Sequence, residues 1–289
     1  MRPDVAPFHH ADTGTWSYVV ADATNRRAAI IDPVLDFDAK SGRTSMASAQ
    51  CLVDNVHQRG LDVQWLLETH AHADHLSAAH WLQEQHFPKV PIAIGTGIRE
   101  VQTTFRAIYN LGNDFPIDGS QFDHLFDDGE TFVIGAITAR VIAVPGHTSD
   151  SNAYLIGDAL FTGDSLFMPD AGTARCDFPG GDAAMLYRSM HRLLDTLPGS
   201  TRVFVCHDYG PNNRPAACET TIAEQRRDNI HVRDGVSEAE FVQLREARDA
   251  TLAMPTLILP SVQTNIRAGA LPEPEDNGVR YLKIPLDLL

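Results

Sequence analysis

His70, His72, Asp74 and His75 fall within six residues, in the run T-H-A-H-A-D-H from Thr69 to His75. Imidazoles and carboxylates crowd this densely chiefly where a cation holds them together. Further along stand His147 in V-P-G-H-T, Asp164 in F-T-G-D-S and His207 in V-F-V-C-H-D-Y, each after a short apolar run that reads as a strand. A lone histidine after a strand is most often an ordinary surface or hydrogen-bonded residue. Several strand ends supplying one donor set describe something else, a metal site on the edge of a sheet. The seven side chains suffice for two adjacent ions with Asp164 between them, as a hydrolase that activates a shared water requires. Imidazole suits zinc and iron alike, so donor chemistry does not choose the ion.

The elements that must carry these residues follow from hydrophobic spacing. Gln64 to Thr69 reads as the strand that delivers the cluster, and Leu76, Ala79, His80, Leu82 and Gln83 have helical spacing that closes near His86, before Pro88. Trp16–Val20 and Ala28–Ile31 form a predicted hairpin, and Ser45–His57 a predicted helix with Met46, Ala49, Leu52, Val53 and Val56 on one face. Val90–Ile94 predicts a strand, Gly97–Tyr109 a helix, and Phe122–Phe126, Thr131–Ile134 and Ile137–Val144 three strands with turns at Asp128-Gly129 and Gly135. A hairpin follows over Ala153–Ile156 and Ala159–Thr162. Next come a helix from an Asp182 cap to Leu197, stopped by Pro198-Gly199, and the strand Val203–Cys206 that delivers His207. Strands lead, alternate with helices, then lead again, which favours an α/β sandwich with sheets between helices over a doubly wound sheet. One domain over 1–289 is expected, with a Pro-rich extension from about 255 to 289 packed on it in irregular conformation.

Composition narrows the function classes. Thirty-eight Asp and Glu against 23 Lys and Arg give a formal charge of -15, which opposes the counterion release behind nucleic-acid affinity. Residues 1–10 lack the apolar core of a secretory signal, and no apolar run approaches membrane-spanning length, so a cytoplasmic protein without a membrane or nucleic-acid partner is expected. Cys51, Cys176, Cys206 and Cys218 show no C-x-x-C pairing, which suits a reducing compartment. Arg175 and His207 flank two of these thiols, and neighbouring cations lower a thiol's pKa.

The order H-x-H-x-D-H, G-H-T, G-D-S, C-H resembles the metallo-β-lactamase superfamily, whose fold is an αββα sandwich of two mixed sheets between helices. G-T-A-R-C-D-F at Gly172–Phe178, H-D-Y at His207–Tyr209, N-I-R-A-G at Asn265–Gly269 and the closing segment from Leu271 to Leu286 look like the bacterial persulfide dioxygenase branch. That resemblance implies one Fe(II) per chain on His70, His147 and Asp164, a two-His, one-carboxylate triad that leaves the opposite positions open. His72, Asp74, His75 and His207 would then orient the ligands. It further implies glutathione persulfide and O2 as substrates, sulfite and glutathione as products, and a role in sulfide detoxification. Arg175 and Tyr209 map onto its substrate contacts, and a homodimer is compatible with it. Ala268 stands where some members carry Cys, so no thiol function transfers there. The alternative implied by the same ligand set is a hydroxyacylglutathione hydrolase, resembling glyoxalase II, with two metals.

Overall fold

The computed structural model describes residues 1–288. Chain order is β1 (Asp4–His10), β2 (Thr15–Asp22), β3 (Arg27–Ile31), β4 (Val34–Asp38), β5 (Arg43–Ser45), α1 (Ala47–Gln58), β6 (Asp62–Leu67), β7 (Leu76–Ser77), α2 (Ala79–Gln85), β8 (Ile92–Gly95) and α3 (Ile98–Ile108). The second half follows with β9 (His124–Phe126), β10 (Thr131–Ile134), β11 (Ile137–Ala143), β12 (Asn152–Ile156), β13 (Ala159–Phe161), α4 (Ala183–Thr196), β14 (Arg202–Phe204), β15 (Glu219–Thr221), α5 (Ile222–Asp228), α6 (Glu238–Asp249) and α7 (Ile258–Asn265).

Strand alternation sorts the side chains into three cores. Along β2, Tyr18 and Val20 face one way and Val19 and Ala21 the other; along β3, Ala29 and Ile31 oppose Ala28 and Ile30. The first set meets Phe132, Val141, Tyr154 and Phe161 from the second sheet, and the other set meets Leu52 and Val56 of α1, Leu82 of α2 and Phe105 of α3. Leu186, Met190 and Leu193 of α4 cover the far side of the second sheet together with Phe241 of α6. The result is the expected α/β sandwich, helix on sheet on sheet on helix. Both principal sheets have six strands, in the orders β1-β2-β3-β6-β8-β9 and β10-β11-β12-β13-β14-β15, and each mixes parallel with antiparallel pairs. Each fully buried leucine of this interior, such as Leu66 or Leu67, contributes about 1.5–3 kcal/mol relative to exposure.

β4, β5, β7, β15, α5 and α6 have no counterpart in the sequence reading, and two further departures have a clear physical reason. β1 adds an edge strand to the first sheet, pairing Asp4–His10 against Ala21–Thr15, where Pro7 and a polar pattern had given no strand signal. The Pro-rich extension is not irregular throughout, because α7 forms inside it. Pro260 sits in the first turn of that helix, where its missing N–H costs no intrahelical bond. Beyond α7, Lys283 exchanges two backbone hydrogen bonds with the Gln263 side chain at 2.8 and 2.9 Å. No helix among the described residues is long and apolar enough to cross a membrane.

Candidate metal centre

The donor residues gather where strands of both sheets end. β13 and β14 pair in parallel with Phe161 opposite Phe204, so Asp164 and His207 each stand three residues beyond a matched pair. β3 and β6 pair in parallel with Ile31 opposite Leu67, which puts Asp32 beside the start of the cluster. Glycines allow the loops to close on one another. A Cβ on Gly163, at φ +53°, would lie 2.7 Å from Thr69, and one on Gly146 would lie 2.3 Å from the Leu186 backbone nitrogen.

Hydrogen bonds fix the rings. The Thr69 hydroxyl donates to Asp32 at 2.9 Å, so it accepts from His70 Nδ1 at 3.1 Å, leaving the lone pair of His70 on Nε2. His147 Nδ1 donates to the Arg175 carbonyl at 2.6 Å, which likewise leaves Nε2 as the free donor atom. These two nitrogens approach Asp164 Oδ2 to 4.0 and 3.6 Å. His70, His147 and Asp164 therefore form one group whose donor atoms all lie within 4.8 Å of one another. His72, Asp74, His75 and His207 form a second such group alongside. His72 is not a member of the first group although its ring centroid lies 4.0 Å from that of His70; its Nε2 is 3.1 Å from Asp32 and 3.7 Å from Glu68, without the alignment of a hydrogen bond.

The arrangement suits a cation. His70 Nε2, both nitrogens of His72, His75 Nε2, Asp164 Oδ1 and both nitrogens of His207 are buried without a hydrogen-bond partner. Such atoms are costly unless something charged satisfies them. Burial pushes the His70 and His72 imidazoles well below their ordinary range, and burial, against the pull of the Arg175 carbonyl, brings His147 down to about 4. All three are thus neutral and available as ligands at neutral pH. Burial raises Asp164 to about 7, opposed by His207. For Asp74, burial is outweighed by His207 and His75, which hold the carboxyl well below the usual range. A bound cation would hold Asp164 ionised as well.

Several supporting residues carried no sequence signal of their own. Asp32 takes the Thr69 amide at 2.7 Å, and Asp150 takes the Ala71 amide at 2.8 Å. Asn265 of α7 donates to the His72 and His75 carbonyls and accepts from the Ser77 amide, each at 2.8 Å. The N-I-R-A-G motif by itself assigns this asparagine no role.

A cavity of about 540 Å³ opens on the centre, lined by His147, Asp164, Phe167, Phe178, Arg175 and Tyr209 among others. That volume is within the range of small-molecule sites. Tyr209 stacks on His207 with ring centroids 6.0 Å apart, its outer face open to solvent. Arg175 lines the wall, but its guanidinium is committed: Nε and one terminal nitrogen bind Asp177 at 2.5 and 2.6 Å, and the other binds the Ala253 carbonyl at 2.7 Å. The four cysteines are free thiols. The expectation that cations activate Cys176 and Cys206 fails, since burial pushes Cys176 up to about 12 and Cys206 well above its ordinary value.

Residues 11–207 match the family model described as the metallo-beta-lactamase superfamily. A probable metallo-hydrolase of Burkholderia pseudomallei is 52% identical over 99% of both chains, and a protein named glyoxylase B2 from Dictyostelium discoideum is 50% identical over 100% of this chain and 98% of its own. The mitochondrial persulfide dioxygenase ETHE1 of Bos taurus is 29% identical over 88% of this chain and 84% of its own. The crystal structure of ETHE1 from Myxococcus xanthus superposes with a TM-score of 0.73 at 30% identity, covering 92% of this chain and all of that one. The matched model spans β2 to β14 and every donor residue from His70 to His207, and the chain belongs to the metallo-β-lactamase superfamily.

Proposed function

We propose that this protein is an iron-dependent persulfide dioxygenase, converting glutathione persulfide, O2 and water to glutathione and sulfite with release of two protons. The observation that carries this reading is the gathering of His70, His147 and Asp164 into one donor set, with His72 in the neighbouring set. Two imidazoles and one carboxylate on one side are the donor set of mononuclear Fe(II) oxygenases. Likeness to ETHE1 of Myxococcus xanthus and of Bos taurus supports the same assignment. One Fe(II) per chain, when bound, would supply the means to activate dioxygen beside the persulfide sulfur.

The chain's own residues do the rest. The Arg175 carbonyl and the Thr69 hydroxyl orient the His147 and His70 rings so that both present a lone pair. His72, Asp74, His75 and His207 shape the charge around Asp164, with His207 Nε2 lying 3.2 Å from both Asp74 and Asp164. Phe167 and Phe178 limit water in the cavity, and Tyr209 offers a ring face to the glutathionyl chain at its mouth. Arg175 serves as a wall of that cavity, its guanidinium carbon 5.0 Å from the centre of the Phe178 ring. Holding persulfide and dioxygen together turns an encounter of separate molecules into a local reaction. Such chemistry fits the disposal of sulfide-derived persulfide.

One observation favours a second reading. The His72, Asp74, His75 and His207 group could hold another ion beside the first, and the relative from Dictyostelium is named a glyoxylase. A two-metal hydroxyacylglutathione hydrolase would use both. Anaerobic metal reconstitution with oxygen-uptake measurement separates the two. About one iron per chain, with O2 consumed on glutathione persulfide, is expected of the dioxygenase. Two metals, thioester cleavage and no oxygen uptake would refute it.

A further inference from the structure

The cavity beside the metal centre has arginines on its wall, and all but one are already engaged. Arg175 is bound to Asp177 and to the Ala253 carbonyl. Arg245 is buried and bound to Asp249 at 3.0 Å and to the Thr173 carbonyl at 3.1 Å. Asp170, the acid at the rim, is occupied by Arg214 at 2.6 and 2.7 Å. Arg248 lines the same cavity and has no hydrogen bond or ion pair from its guanidinium among the described residues.

Its position is well defined although its charge is unpaired. Arg248 lies three residues after Arg245 on α6, hence on the same face of the helix. That face is pinned to the cavity floor, because Asp249 takes the Cys176 amide at 2.9 Å while Arg245 holds Thr173. A Ser237–Glu240 capping box secures the other end of α6. The Arg248 charge also reaches His231 in the same wall. In a chain of net charge -15, an anionic substrate gains from a local cation at the entrance to the site.

We propose that Arg248 is the residue that recognises a carboxylate of the glutathionyl substrate and thereby sets the enzyme's preference for glutathione persulfide over uncharged persulfides. This rests on the glutathionyl reading above and places the carboxylate contact on Arg248 rather than on Arg175, which the resemblance maps onto a substrate contact. A free guanidinium offers paired N–H donors to one carboxylate without first surrendering a protein partner. Arg175 would have to break three bonds to do the same.

The test is calorimetric titration of the anaerobic iron-loaded protein with glutathione and with glutathione esterified at its carboxylates, for the wild type, R248A and R175A. Thermal unfolding and iron content of each variant are measured alongside. Expected for R248A is a loss of glutathione affinity on the order of tenfold or more, with ester binding, iron content and unfolding temperature unchanged. R175A should keep most of the affinity. Wild-type binding that R248A leaves intact, or an equal loss for glutathione and its ester, would overturn the role of Arg248 while leaving the dioxygenase reading standing. A wild type that fails to bind glutathione at all would overturn the glutathionyl reading, and the role of Arg248 with it.

Discussion

Asn265 offers the sharpest measure of how the far end of the chain supports the metal centre. Its side chain satisfies three backbone groups of the 72–77 loop, the His72 and His75 carbonyls and the Ser77 amide, all at 2.8 Å. Replacement by Ala leaves these groups without their partner in a region closed to solvent. Each buried group so orphaned costs about 1–3 kcal/mol, but a water entering the space would recover part of the sum, so a net loss of about 3 kcal/mol is expected. The same change frees the carbonyls of two histidines in the cluster, and metal affinity should fall about 10–100-fold, as for other groups that orient ligands. Urea denaturation of the metal-free protein isolates the first effect, and competition with a chelator isolates the second. Gln263→Ala, on the same helix, is the control: its side chain bonds Leu259 and Lys283 rather than the loop. Its stability loss should leave chelator competition unchanged. An Asn265→Ala protein that loses less than about 1 kcal/mol and keeps its metal would refute the clamp.

Three further outcomes are expected. Asp164→Ala should abolish iron retention with the fold intact by circular dichroism, and full occupancy in that variant would remove Asp164 from the ligand set. Gly163→Ala should destabilise by more than about 1 kcal/mol in thermal or urea unfolding, because the new methyl meets Thr69 at 2.7 Å in a left-handed backbone; an unchanged midpoint would contradict it. Burial, with Arg245 and Arg248 nearby, lowers His231 to about 4 in the folded chain, so between pH 4 and the ordinary value of 6.5 the unfolded state binds the extra proton and stability falls with falling pH. His231→Asn, which can still accept the Thr173 amide, should flatten the acid limb of unfolding temperature against pH, and an unaltered slope would exclude His231 as a contributor.

The layered fold and the donor set were legible because both are written locally. Alternating apolar residues mark the strands, and each candidate ligand follows one of them within a few positions. β1 was hidden because an edge strand with Pro7 and histidines buries little and so shows no apolar face. α7 was hidden because Pro260 reads as a breaker unless the helix start is known. α6 did carry a sign in Ser237-x-x-Glu240, but no chemistry drew attention to it. The support from Asn265 was out of reach for a different reason: its partners lie about 190 residues away, and no local pattern encodes such a distance. Arg175 is a different case. Its place in the R-x-D-F run drew attention to substrate, while the neighbour two positions on, Asp177, takes up its charge.

The matched pair Phe161 and Phe204 gives Asp164 and His207 the same three-residue overhang. A slip of either strand by one position would carry its donor about 3.3 Å along the sheet and turn it to the opposite face. Only a correctly zipped sheet therefore brings both side chains to the candidate metal centre. On the proposed reading, metal loading rewards the native alignment and withholds its stabilisation from every misaligned competitor.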